Sequence, residues 1–191
     1  MATELNERDK MLLDLMKQFH IMDVKNASIY FNGKNKEIVT ARRLKKLYEA
    51  KNNINRHRED ILHGYVYYYN KRRSNYKHDL VRLNVYTALK LNPNIEIIKY
   101  VLEKEFIINN SKVRCDLLVI AKDKTSNKLI PLIIEIDLNK AYAYKYSNLD
   151  YKQYFPIKPT IISVGRYAPK DKDVIFIKSD EIEQLTTVQL S

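Results

Sequence analysis

The chain has 191 residues, 34 of them Lys or Arg against 23 Asp or Glu, which gives a formal charge of +11 at 45% hydrophobic content. Three Gly, five Pro and one cysteine, Cys115, exclude a collagen-like repeat, a disulfide scaffold and a Cys-rich zinc site. No apolar run reaches the ~18 residues of a membrane helix and the N-terminus lacks the pattern of a signal peptide, so the expectation is a cytoplasmic protein with no membrane partner, whose charge points to a polyanion.

Asn6 stands as the cap of a helix running to about residue 20, with Leu12, Leu13, Leu15, Met16 and Phe19 on one face. Asp23 caps a second, short helix that carries Val24, Ala27 and Phe31 inward and ends at Asn32-Gly33. A third helix over 36–50 places Val39, Ala41, Leu44, Leu47 and Tyr48 on its buried seam, with Arg42, Arg43, Lys45 and Lys46 to either side. The period then changes: 54–58 reads as a strand, 59–63 as a loop and 64–69 as a returning strand. Three helices followed by a hairpin is the order of a winged helix, whose third helix enters the major groove while the hairpin tracks the adjacent backbone.

Between Lys34 and Lys77 there are 13 Lys and Arg against four acids, so a net +9 of the chain's +11 lies on this stretch. On an isolated helix such a run is a solvated face. On the third helix, with Lys71-Arg72-Arg73 following the hairpin, it points to double-stranded DNA, with Arg42, Arg43, Lys45 and Lys46 toward the groove and Arg56, Arg58, Arg72 and Arg73 toward phosphates. Tyr65, Tyr67, Tyr68 and Tyr69 read as strand residues split between core and a half-buried face; stacking on single-stranded bases is the alternative.

A helix resumes near residue 77 with Leu80, Val81, Leu83, Asn84, Val85, Ala88 and Leu89, and stops before Asn92-Pro93. One long or two short strands cover 95–108. A second region, 112–122, alternates Val113, Cys115, Leu117 and Val119 against Arg114, Asp116 and Leu118, and a turn at 123–127 leads to a third strand over 129–138. A Tyr-rich helix is expected over 139–154, strands over 159–164 and 174–177, and a short acidic helix over 180–185. The expected class is α/β in the α+β sense, with domains at 1–76 and 77–191. The four His, at 20, 57, 63 and 78, lack the spacing of a transition-metal site.

The order helix, three strands, helix, strand resembles the αβββαβ core of the PD-(D/E)xK nuclease-like fold. That resemblance implies an Asp on the second strand and a Glu-x-Lys on the third, converging on magnesium. Asp116 and Glu135 occupy those places, and Asp137 stands where the Lys belongs, with Lys140 or Lys145 as the displaced cation. The candidate catalytic set is Asp116, Glu135 and Lys140, and the candidate magnesium ligands are Asp116, Glu135 and Asp137. A pairing of residues near 114 with 135 puts all three carboxylates on one face. The competing reading makes Asp116 the partner of Arg114 or a helix lysine, and Glu135 and Asp137 the end of a buried strand. On that reading no cofactor is required, and Mg2+ enters only with an active nuclease-like site.

Across about residues 7–165 the chain resembles the replication-relaxation family of plasmid and phage proteins, through Ala41-Arg42-Arg43-Leu44, His78-Asp79-Leu80 with Asn84, Arg114-Cys115-Asp116 and Glu135-Ile136-Asp137. The resemblance implies a duplex-DNA-binding accessory of replication, relaxation, transfer or its regulation, with a non-catalytic nuclease-like second domain. Alternatives are a magnesium-dependent endonuclease or nickase, a transcriptional regulator, or an adaptor for a replication or transfer machine docking through Tyr142, Tyr146 and Tyr154. A homodimer on a palindromic site stays open, as does the role of His78 and Asp79: vestigial active face, or a first helical turn in which Asp79 suits the dipole.

Overall fold

The computed structural model describes residues 5–58, 64–139 and 143–189, and the chain divides into two units, Met1–Leu83 and Asn84–Ser191. The fold is mixed α+β. The division falls inside a helix, later than the boundary at 76/77 expected from the change of period.

In the first unit, α1 (Glu7–Phe19) starts on a reciprocal cap: Asn6 Oδ1 accepts the Asp9 N–H and Asp9 Oδ2 accepts the Asn6 N–H, each at 2.9 Å. His20, in the left-handed region at φ 64°, ends the helix and turns the chain into β1 (Ile21–Asp23), a strand too short to announce itself by alternation. Asp23 caps α2 (Val24–Ser28), shorter than expected although Phe31 beyond it is buried. Gly33, at φ 99°, makes the left-handed turn that precedes α3 (Lys36–Glu49). The hairpin β2 (Ile54–His57) and β3 (Val66–Tyr69) follows, and β1 pairs with β3, giving an antiparallel sheet ordered β1-β3-β2. The expected loop at 59–63 lies outside the described residues. Leu12, Met16, Phe19, Met22, Leu44, Leu47 and Tyr68 form the buried interior.

One expectation for α3 is corrected. Val39 is turned to solvent, and Thr40 is buried in its stead, its hydroxyl donating to Lys36 O at 2.6 Å. A threonine whose hydroxyl bonds back to the preceding turn satisfies its own polar atom and can be buried like an aliphatic side chain.

The helix α4 (Tyr76–Leu91) spans the division. In the second unit β4 (Ile95–Leu102) and β5 (Glu105–Ile108) are separate strands. The expected single strand over 112–122 is broken into β6 (Ser111–Arg114), which forms a hairpin with β5, and β7 (Leu117–Asp123), which belongs to the main sheet. With β8 (Leu129–Asp137), β9 (Thr160–Gly165) and β10 (Val174–Lys178) the sheet is ordered β10-β9-β8-β7-β4, parallel among β8, β9 and β10 and antiparallel elsewhere. β8 is the central strand and is buried almost throughout, so it reads as a continuous apolar run rather than an alternation.

The Tyr-rich helix does not form in the described part of 139–154, where the chain makes two 3-10 turns, Ala143–Tyr146 and Tyr151–Gln153. Ser147, Asn148 and Asp150 interrupt it with side chains that compete for backbone hydrogen bonds. Lys140 and Tyr142 lie outside the described residues. The expected acidic helix is likewise a 3-10 turn, Ile182–Thr186. Phe106, Ile108, Cys115, Leu118, Ile133, Tyr146 and Phe155 pack as one apolar cluster on one face of the main sheet.

Candidate functional site

Two groupings of charged side chains arise, one in each unit. In the first, α3 buries Thr40, Leu44 and Leu47, and at 100° per residue the opposite stripe holds Asn35, Ile38, Val39, Arg42, Lys45, Lys46 and Glu49. Arg42 and Lys46 are exposed and meet no carboxylate among the described residues, while Lys45 sits 3.6 Å from Glu49 along the helix. Arg58 and Arg72 are exposed as well, and the Arg72 guanidinium stacks over Tyr76 at 4.1 Å.

Among the eight cations assigned to DNA, Arg43, Arg56 and Arg73 are engaged most fully by other side chains of the unit, and Arg58 also lies 5.5 Å from the Tyr65 ring. Arg43 forms a fork on Asp9: its Nε donates to Oδ1 at 2.6 Å and its Nη2 to Oδ2. Burial alone raises the Asp9 pKa, but the Arg43 hydrogen bond and charge, with the Asn6 N–H, hold it below the usual carboxylate range. Arg73 lies 3.6 Å from Asp79, a buried acid that also accepts from the buried Arg82 at 2.8 Å. Asp79 is thus the centre of an internal arginine pair, which favours the structural reading of His78-Asp79. Arg56 is sandwiched, its guanidinium 4.6 Å from the Tyr48 ring and 4.4 Å from that of Tyr65, and it hydrogen-bonds Tyr67, its register partner on β3.

Arg8 went unnoticed in the sequence because it lies on the first helix, away from the basic run. Its guanidinium packs 4.6 Å over Phe31, and a cavity of about 340 Å3 is lined by Arg8, Phe31, Val39, Arg42 and Lys46 among others. Four cations from two helices, Arg8, Arg42, Arg43 and Lys46, therefore border one concavity, together with the Asp9 carboxylate that Arg43 holds.

In the second unit the observed pairing Leu117↔Ile134 sets Asp116 opposite Glu135, two residues from the expected register but with the same parity. Asp116, Glu135 and Asp137 do share a face. Each is engaged by hydrogen bonds of its own. Asp116 Oδ2 accepts the Ile136 N–H at 2.7 Å; Glu135 accepts from Lys145 Nζ at 2.5 Å and from the Tyr146 hydroxyl at 2.8 Å; and Asp137 Oδ2 accepts from Ser163 at 2.9 Å. Lys145 also donates to Arg114 O at 2.9 Å. Among the described residues no group of three His, Cys, Asp or Glu side chains is disposed to hold a metal ion.

Burial, reinforced by the Asp116 charge, pushes the Glu135 carboxyl up to about 7 against the opposing pull of Lys145 and Tyr146. Burial and Glu135 also raise the Tyr146 phenol, which stays a donor. The Cys115 thiol is pushed up to about 12 by burial and by Glu135, which makes it unreactive near neutrality. The cation beside Glu135 is Lys145, on the 3-10 turn, and Tyr146 and Ser163 complete the hydrogen bonds of Glu135 and Asp137. Asp137 Oδ1 has no hydrogen-bond partner among the described residues. Gly165 explains how Ser163 and Asp137 fit together: a Cβ there would lie 3.1 Å from the Asp137 Cβ and closer still to its carbonyl oxygen.

No protein-family model and no curated protein matches the chain. The structure is similar to that of protein VC1899 from Vibrio cholerae at 15% sequence identity and a TM-score of 0.40, over 94% of this chain and 50% of that one; the chain thus spans about half the length of that protein.

Proposed function

We propose that the protein binds duplex DNA through the first unit, used as a winged helix, and that the second unit is a nuclease-like platform without catalytic activity, in an accessory role in replication, relaxation or transfer of a plasmid or phage. The observation that carries this reading is the outer stripe of α3, where Arg42 and Lys46 are exposed with no acidic partner among the described residues, ahead of a β2–β3 hairpin flanked by Arg58 and Arg72. The element order α1-β1-α2-α3-β2-β3 supports the comparison with winged helices, in which the third helix lies in the major groove. Arg8, Arg42 and Lys46 border one concavity in which Asp9 is already paired with Arg43, and their charges suit a backbone phosphate.

The test is a gel-shift titration on duplex DNA over a range of salt. Five exposed cations (Arg42, Lys45, Lys46, Arg58 and Arg72) correspond to a slope of log K against log salt of roughly −4 to −5. A flat response removes the proposal.

A second reading, a magnesium-dependent endonuclease, is favoured by one observation: Lys145 reaches Glu135 and replaces the lysine absent at 137. The closed hydrogen bonding of Glu135 argues for the platform. Nicking of supercoiled plasmid in magnesium or manganese that disappears in Glu135→Ala would establish the enzyme instead.

A further inference from the structure

The outer stripe of α3 changes character along its length. Its C-terminal half is cationic, with Arg42, Lys45 and Lys46, and its first turn is not: Ile38 is 54% and Val39 48% exposed, and Asn35 precedes them on the same stripe. Asn35 occupies the N-cap position but makes no cap hydrogen bond, and its side chain has no hydrogen bond among the described residues. A capping residue whose amide is not used for capping, followed by two adjacent exposed β-branched side chains, departs from what helix stability favours: an asparagine at this position is ordinarily turned back onto the N2 or N3 N–H, and exposed aliphatic groups gain nothing from water. Single exposed aliphatic residues call for no explanation, but here two lie side by side with an unused amide at the end of one cationic stripe.

We infer that the first turn of α3 reads A·T base pairs, Asn35 by its carboxamide on the adenine N6 and N7 edge and Ile38 and Val39 by contact with thymine C5-methyl groups, while Arg42 and Lys46 hold the flanking phosphates. The inference rests on the duplex-DNA reading and specifies what that surface recognises. The chemistry matches the ends of the stripe. An amide donates and accepts at once and pairs with the adenine edge in bidentate fashion; aliphatic side chains recognise the methyl that distinguishes thymine in the major groove; and helices of this kind meet base edges with their N-terminal residues. The alternation of helical positions 35, 38, 39, 42 and 46 at i, i+3, i+4, i+7 and i+11 keeps base readers and phosphate contacts on one line.

The experiment selects the preferred duplex from a randomised pool with the full chain, then replaces dT by dU one position at a time. This alters the ligand by one methyl and leaves the protein untouched. At the recognised thymines binding weakens about fourfold per methyl, the ratio that corresponds to ~0.8 kcal/mol for a buried carbon. In Ile38→Ala/Val39→Ala, exposed sites where alanine suits a helix, the dU penalty vanishes while binding to random duplex persists; in Asn35→Ala the preference for adenine at its position relaxes. Selection of no preferred base, or dU replacement without effect at every position while duplex binding is retained, overturns the inference and leaves the DNA-binding proposal standing. Absence of binding to any duplex overturns both.

Discussion

Arg43 and Arg42 are neighbours in the sequence with the same charge, and the structure assigns them opposite consequences on mutation. Asp9 is almost fully buried, its side chain 1% exposed, while the Arg43 side chain that forks onto it is 22% exposed. Arg43→Ala leaves a buried carboxylate whose remaining partner is the Asn6 N–H, and breaking one side of such a pair costs about 3–5 kcal/mol. Because the Arg43 end is partly solvated, the lower end, about 3 kcal/mol, is the expected loss. For a unit of this size that corresponds to a fall in Tm on the order of 10–20 °C. Arg42→Ala, which removes a solvated side chain, leaves Tm within about 1 kcal/mol of equivalent stability and lowers DNA affinity instead.

The pH dependence provides a second arm. The Asp9 pKa is lowered in the fold, so its contribution is present above the unfolded value near 3.8 and is lost as pH falls through the folded value. The difference between wild type and Arg43→Ala therefore narrows as pH falls, beginning above 3.8, where burial without Arg43 lets the stranded carboxyl take up its proton, and continuing below it as the wild-type pair is lost. Urea and thermal unfolding by circular dichroism, in parallel with the duplex gel shift, read both quantities. An Arg43→Ala protein of unchanged Tm, or one that remains folded at room temperature yet loses duplex affinity as Arg42→Ala does, refutes the assignment of Arg43 to the interior.

Paired replacement Arg42→Ala/Lys46→Ala is expected to reduce the salt slope of duplex binding by about 2, one contact each, without changing the unfolding midpoint. For Glu135, whose folded pKa of about 7 exceeds the ordinary 4.5, the native state holds the extra proton between those values. Stability of the second unit consequently falls as pH rises from about 4.5 to 7 and then levels off. Glu135→Gln flattens that window in pH-dependent urea unfolding, and a pH profile identical to wild type would contradict the raised pKa. Gly165→Ala drives a methyl into the Asp137 carbonyl and is expected to cost about 1–3 kcal/mol, read as a lower urea midpoint; an unchanged midpoint would rule out the close approach of β9 to β8.

Local rules were sufficient where a signal is local. Asn6 and Asp23 cap as their side chains dictate, the apolar seam of α1 is buried as its spacing implies, and β8 emerges as the buried run between the turn at Asp123 and Asp137. The shared face of Asp116, Glu135 and Asp137 followed from parity alone, which a two-residue shift of register preserves. The break in the 112–122 stretch was not legible, because both pieces alternate in the same phase and only the partner strands, β5 for one and β4 and β8 for the other, separate them. The Tyr-rich helix failed for a related reason: aromatic spacing in 139–154 reflects packing onto Phe106 across a sheet face rather than a helical seam.

The sequence by itself determined the elements that depend on near neighbours, the α+β class and the concentration of positive charge on one stretch, since helix caps, side-chain periodicity and net charge are all properties of contiguous residues. Which of those charges face water was decided only in three dimensions. Arg43, Arg56 and Arg73 are held by Asp9, by Tyr48 and Tyr65, and by Asp79, and Lys145 meets Glu135 from a separate element of the second unit. A charge pairs with whatever the fold brings within a few ångströms, and that distance is set by chain reversals and sheet register, not by the residue's own neighbours along the chain.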